Sequence, residues 1–115
     1  MRHNESIIQQ NCVKWFRLQF PDLALMLFAV PNGGLRRRVE AAIMKAEGMT
    51  AGVSDLILLV PSKGYNALCI EMKTEKGQQT AHQKRWQIEA EKHGCKYVIC
   101  RSFDEFRDAI KAYLL

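Results

Sequence analysis

The chain has 115 residues, 48% hydrophobic and 25% charged, an ordinary balance for one globular domain with its own core, and neither fibrous nor low-complexity. No apolar run approaches the roughly 20 residues that span a bilayer, and the opening MRHNESIIQQN lacks an apolar signal-peptide core, so an intracellular, cytoplasmic chain is expected. A net charge of +5 suits a polyanionic partner such as nucleic acid.

In chain order, Asn4 to Phe20 reads as a helix with Ile8, Cys12, Trp15 and Phe16 on or near one face, ended by Pro21 and Asp22. LALMLFAV (Leu23 to Val30) reads as a buried strand, and PNGG (Pro31 to Gly34) is turn punctuation. RRRVEAAIMKAEG follows as a helix, with Val39, Ile43 and Ala46 expected inward and Gly48 at its C-terminal end. Ser54 to Val60 and Ala67 to Lys73 are expected strands joined by a hairpin turn at PSKG, and TEKGQQ (Thr74 to Gln79) is loop-like. A helix over Thr80 to His93 opens on a Thr80/Gln83 capping box and closes on Gly94. KYVIC (Lys96 to Cys100) is a strand, and a last helix starts at Ser102, with Glu105 completing a second capping box.

The order is α-β-α-β-β-α-β-α, which predicts a single α/β domain over residues 1–115, with a mixed sheet and helices on both faces. Cys12, Cys69, Cys95 and Cys100 form no Cys-x-x-Cys pair and have no histidine spacing for zinc. The expectation is reduced thiols, with Cys12, Cys69 and Cys100 in the core and Cys95 more exposed.

The unusual feature is acid inside an apolar hairpin. Asp55 lies at the start of one strand, and Glu71 and Lys73 lie at the end of the next. Strand parity puts Glu71 and Lys73 on one face, and a turn near Ser62 to Gly64 brings Asp55 beside them. Two hard oxygen donors suit Mg²⁺ or Mn²⁺, and a neighbouring lysine suits a phosphate or an attacking water. Taken alone, the same residues also fit a solvated strand end with a weak ion pair.

The wider pattern resembles the VRR-NUC family of the PD-(D/E)XK nuclease superfamily. The resemblance runs from the helix with Glu5 and Gln9, through PNGG and KAEGMTAGVSDLILL, to IEMKTEKGQQTAHQKRW. It includes the Gly48-x-x-x-Gly52-x-x-Asp55 spacing, the acid-x-lysine EMK and the later QKRW; Ser54 stands where the superfamily label often has proline. The resemblance implies a restriction-endonuclease-like fold and a divalent-metal-dependent DNA endonuclease. By the same resemblance Asp55, Glu71 and the Met72 carbonyl would hold the metal, joined by Glu5, and Lys73 would be the catalytic lysine. Gln83 would face the site. Glu5 equally fits a helix N-terminus, and Gln83 equally fits its capping box. Trp86 reads as core before it reads as a base platform.

Asn32, Arg36, Arg37 and Arg38 around the PNGG turn, and Lys76, Lys84 and Arg85 near the acid-x-lysine, are candidate nucleic-acid contacts. His82 and His93 have no partner spacing and are expected on the surface. The implied substrate is branched or Holliday-junction-like DNA, met in replication, recombination or repair, and its two-fold symmetry would suit a homodimer. The small size fits a phage origin. A non-catalytic DNA-binding module of the same fold and an RNA-directed nuclease are the alternatives.

Overall fold

The computed structural model describes residues 2–31 and 38–115, without the side chains of residues 2, 3 and 38. Helix α1 (Arg2–Gln19) leads through a 3₁₀ turn (Pro21–Met26) into strand β1 (Leu27–Ala29). Helix α2 (Arg38–Ala46), strands β2 (Leu56–Leu58) and β3 (Leu68–Met72), helix α3 (Ala81–Lys92), strand β4 (Lys96–Cys100) and helix α4 (Phe103–Leu114) follow. The strands form one sheet in the order β1-β2-β3-β4. Its first three strands are antiparallel, and β3 and β4 are parallel, joined through α3. This is the mixed sheet expected.

Alternation sorts the two faces. Leu27, Leu56, Leu58, Leu68, Ile70, Met72 and Cys100 point into a core completed by Cys12 and Phe16 of α1 and by Phe106, Ile110 and Tyr113 of α4. On the opposite face, Cys69 and Tyr97 pack with Ala90 of α3 and the half-buried Trp86. Every residue of β3 is therefore buried. The cysteines lie as expected: Cys12, Cys69 and Cys100 are buried free thiols, and Cys95 is half-buried.

Three local expectations are corrected. Leu23 to Val30 is not a continuous strand, because Pro21 opens a 3₁₀ turn and only Leu27–Ala29 pairs with the equally short β2. Leu25 consequently points outward, 89% exposed. Val39, Ile43 and Ala46 do not face inward: Val39 is 71% and Ile43 53% exposed, and it is Ala41 and Met44 that turn toward the protein. The second capping box is only half made. Ser102 Oγ accepts the Glu105 N–H at 3.1 Å, but the Glu105 carboxylate accepts the N–H of Arg101, not of Ser102, at 2.7 Å.

The other local signals hold. Thr80 and Gln83 make both capping-box bonds. Gly48 and Gly94 take positive φ at helix ends, and the β2–β3 turn uses positive φ at Lys63 and Gly64.

Candidate active site

Sheet register assembles the site. Leu56 pairs with Ile70, so one further step places Asp55 across from Glu71. The Asp55 carbonyl accepts the Val30 N–H at 2.9 Å, and its Oδ2 accepts the Met72 N–H at 2.8 Å. Asp55 is thus fixed through backbone on both sides, at the end of the sheet where β1 and β3 finish and β2 begins. Lys73 continues the strand by donating its N–H to the Cys100 carbonyl at 3.0 Å. Its Nζ lies 3.9 Å from Glu71 Oε2, with the lysine side chain 13% and the glutamate 2% exposed.

Helix α3 delivers the fourth group. Gln83 divides its amide between two tasks: Oε1 accepts the Thr80 N–H at 2.9 Å, and Nε2 donates to Glu71 Oε2 at 2.9 Å. One side chain thus caps α3 and bonds the Glu71 carboxylate. Gly52 makes the docking possible. A Cβ there would sit 2.3 Å from the His82 carbonyl oxygen, and φ is +88°. Only glycine lets the segment before Asp55 lie on the first turn of α3.

The electrostatics of Glu71 are unusual. Burial first, and then the adjacent Asp55 carboxylate, push its pKa up to about 8; Lys73 acts in the opposite direction, and Glu5 adds a smaller upward push. Glu71 Oε1 is buried without a hydrogen-bond partner. An orphaned carboxylate oxygen facing a second acid is costly unless a proton or a cation sits there. Two hard oxygen donors with that gap fit Mg²⁺ or Mn²⁺. Among the described residues no three His, Cys, Asp or Glu side chains gather as a ready metal cage. Glu5 is therefore not drawn into a closed triad with Asp55 and Glu71, although it lines a cleft of about 600 Å³ together with Asp55 and Gln9.

Asn32, Arg36 and Arg37 lie outside the described residues, as does the Arg38 side chain. Lys76, Lys84 and Arg85 are exposed. His82 and His93 are on the surface as expected, and the Trp86 ring packs against Tyr97 with centroids 6.3 Å apart.

Arg101 was not anticipated. One of its guanidinium nitrogens donates to the carbonyls of Thr74 at 2.9 Å, Gly77 at 2.5 Å and Glu75 at 3.4 Å, tying down the turn that follows Lys73. Gly77 lets that turn lie against the lysine stem: a Cβ there would meet Thr74 Oγ1 at 3.0 Å and Lys73 Cδ at 3.4 Å. Spacing alone carries no signal for Arg101, because its contacts join segments more than twenty positions apart.

A solved structure described as a VRR_NUC domain protein superposes with a TM-score of 0.83 and 26% identity, over 95% of this chain and 86% of that one. No curated protein matches. The VRR-NUC domain as a family matches residues 2–104, a span that takes in α1 with Glu5, the Asp55–Glu71–Lys73 hairpin end and the Gln83 helix. The assembled site and this match lead to one conclusion: the chain belongs to the VRR-NUC family, a nuclease-type family.

Proposed function

We propose that this chain is a Mg²⁺- or Mn²⁺-dependent DNA endonuclease, selective for branched or Holliday-junction-like DNA in replication, recombination or repair. One observation carries the reading: a buried carboxylate, Glu71, keeps an oxygen orphaned beside Asp55 while Lys73 and Gln83 occupy its other oxygen. A surface kept only to bind DNA gains nothing from burying acid that repels phosphate.

Asp55 and Glu71, with the Met72 carbonyl and Glu5 as further donors, would hold the cation, which supplies Lewis acidity and an acidified water. The remaining work falls to the chain itself. Lys73 Nζ, held near Glu71, donates to a phosphate oxygen or, once deprotonated, accepts a proton from the attacking water. Gln83 fixes the Glu71 carboxylate through Oε2, which would leave Oε1 to the cation. Met72 fixes Asp55 through its N–H. Asn32, Arg36, Arg37, Arg38, Lys76, Lys84 and Arg85 would neutralise phosphates without reading bases.

A homodimer is part of the proposal. Phe28 and Leu59, on the sheet face that α3 leaves open, and Val39 and Ile43 on α2 present exposed apolar surface that a second copy would cover. Sedimentation showing only monomers, free and on four-way DNA, would remove it.

The decisive experiment incubates the protein with linear, flapped and four-way DNA, and with RNA, in Mg²⁺, Mn²⁺ or EDTA. Metal-dependent DNA cleavage is expected, abolished in Asp55→Ala and Lys73→Ala. Cleavage that survives in either variant overturns the residue assignment, and binding without any cleavage overturns the enzymatic reading.

A further inference from the structure

The cleft beside Asp55 extends well past the site. It runs between α1 and β1, with Glu5, Gln9, Asp55 and the Val30 bonded to Asp55 toward one end and Lys14, Arg17 and Leu18 toward the other, and Val13, Ala29 and Pro31 adding apolar wall. Its charge is therefore graded. Both acids stand at the metal-site end and both bases at the far end. A helix rises about 1.5 Å per residue, so Lys14 lies roughly 14 Å and Arg17 roughly 18 Å along α1 from Glu5. Lys14 is exposed. The Arg17 guanidinium is set at the mouth of the cleft by donating to the carbonyls of Ala24 at 3.4 Å and Leu27 at 3.3 Å.

We propose that this cleft binds a single-stranded segment of nucleic acid adjoining the scissile phosphate, with Lys14 and Arg17 neutralising phosphates up to about five nucleotides away. The inference rests on the nuclease reading above and adds to it a strand path and a strand form. That limit follows from the ~3.4 Å of axis per phosphate in a stacked strand, and a drawn-out strand needs fewer nucleotides. The lining favours single over double strand. A duplex turns its phosphates outward and offers nothing to the apolar wall of the cleft. Unpaired bases have apolar faces that do match Val13, Val30 and Pro31. Gln9, Gln10 and Ser6 on the α1 wall add hydrogen-bonding groups that tolerate any base.

The test measures affinity by fluorescence anisotropy in Ca²⁺, so that no turnover is required. The probes are one DNA duplex bearing single-stranded 3′ or 5′ tails of zero to eight nucleotides. For wild type, affinity is expected to rise with tail length on one polarity and to level off near five nucleotides. Lys14→Gln should remove much of that rise and lower the slope of log affinity against log salt by about 0.7. Lys14→Glu should weaken tailed probes further. Lys111→Gln, which removes the same charge on α4, should leave the slope as it is. An unchanged tail dependence in both Lys14 variants overturns the inference, as does an equal loss on the blunt duplex. The nuclease reading fails separately: a Lys14-dependent tail increment in a protein that cuts nothing in Mg²⁺ or Mn²⁺ refutes cleavage and leaves the strand path standing.

Discussion

Replacing Glu71 with glutamine is expected to stabilise the metal-free protein while abolishing cleavage. The glutamate folds into a place where its charge is disfavoured: it is 2% exposed, faces Asp55 and leaves Oε1 unpaired. Its pKa moves from 4.5 to about 8 on folding. At pH 7 the unfolded chain ionises it and the folded chain does not, which costs about 3 kcal/mol at ~1.4 kcal/mol per pH unit. Glutamine carries no such cost. Its oxygen still accepts from Gln83, and its NH₂ can donate to Asp55. Lys73 already opposes the rise, so its pairing is contained in that value. The gain is roughly 3 kcal/mol, or about 10–15 °C in Tm for a domain of this size.

The gain must also depend on pH. A carboxyl whose folded pKa is raised costs nothing below pH 4.5, costs progressively more up to about pH 8, and is level above that. Thermal melts in EDTA at pH 4, 6 and 8 follow this directly. The advantage of Glu71→Gln should vanish at pH 4 and be greatest at pH 8. Millimolar Mg²⁺ should then raise the wild-type Tm and leave the variant unmoved, because a ligand stabilises only the state that binds it. A variant less stable than wild type at pH 8 in EDTA, or an advantage that does not change with pH, would refute the reasoning.

Three further outcomes follow from the geometry. Gly52→Ala should cost at least about 3 kcal/mol in urea denaturation, since it combines a positive φ with a Cβ 2.3 Å from the His82 carbonyl; a loss under 1 kcal/mol would contradict the packing. Gln83→Ala gives up half the capping box and the Glu71 bond together, so both stability, by about 1–2 kcal/mol, and cleavage should fall; normal cleavage would show that Glu71 needs no such support. Arg101→Met releases the turn after Lys73. Its kcat should drop about tenfold or more, with DNA affinity little changed, whereas a rise in KM at constant kcat would place Arg101 on the substrate instead.

Much of the site could be read before folding because it rests on local rules. Strand parity aligned Glu71 with Lys73, and turn chemistry at Pro61 to Gly64 returned the chain so that Asp55 met them. Thr80 and Gln83 announced the start of α3 through side chain to backbone bonds that span three residues. Such signals survive in sequence because the interacting groups are neighbours along the chain. The Leu23 to Met26 segment misled for the complementary reason. Its apolar residues suit a strand, but pairing stops at the Met26 carbonyl, which accepts the Leu59 N–H: β2 is only three residues long, and Pro21 turns the backbone into a 3₁₀ coil.

The amino-acid order by itself determined the α/β class, the element order, the hairpin that gathers the acids, and the residue types available for a cation and a phosphate. Tertiary structure alone decided which side of α2 faces inward, that one Gln83 amide serves cap and carboxylate together, and that Arg101 braces the Lys73 turn from β4's end. It also decided that α1 and β1 leave a charged-to-apolar cleft leading away from Asp55. Periodicity records whether a residue suits an interior; it does not record what stands opposite. That is set by how helices rotate and seat on the sheet, through contacts between residues far apart in the chain.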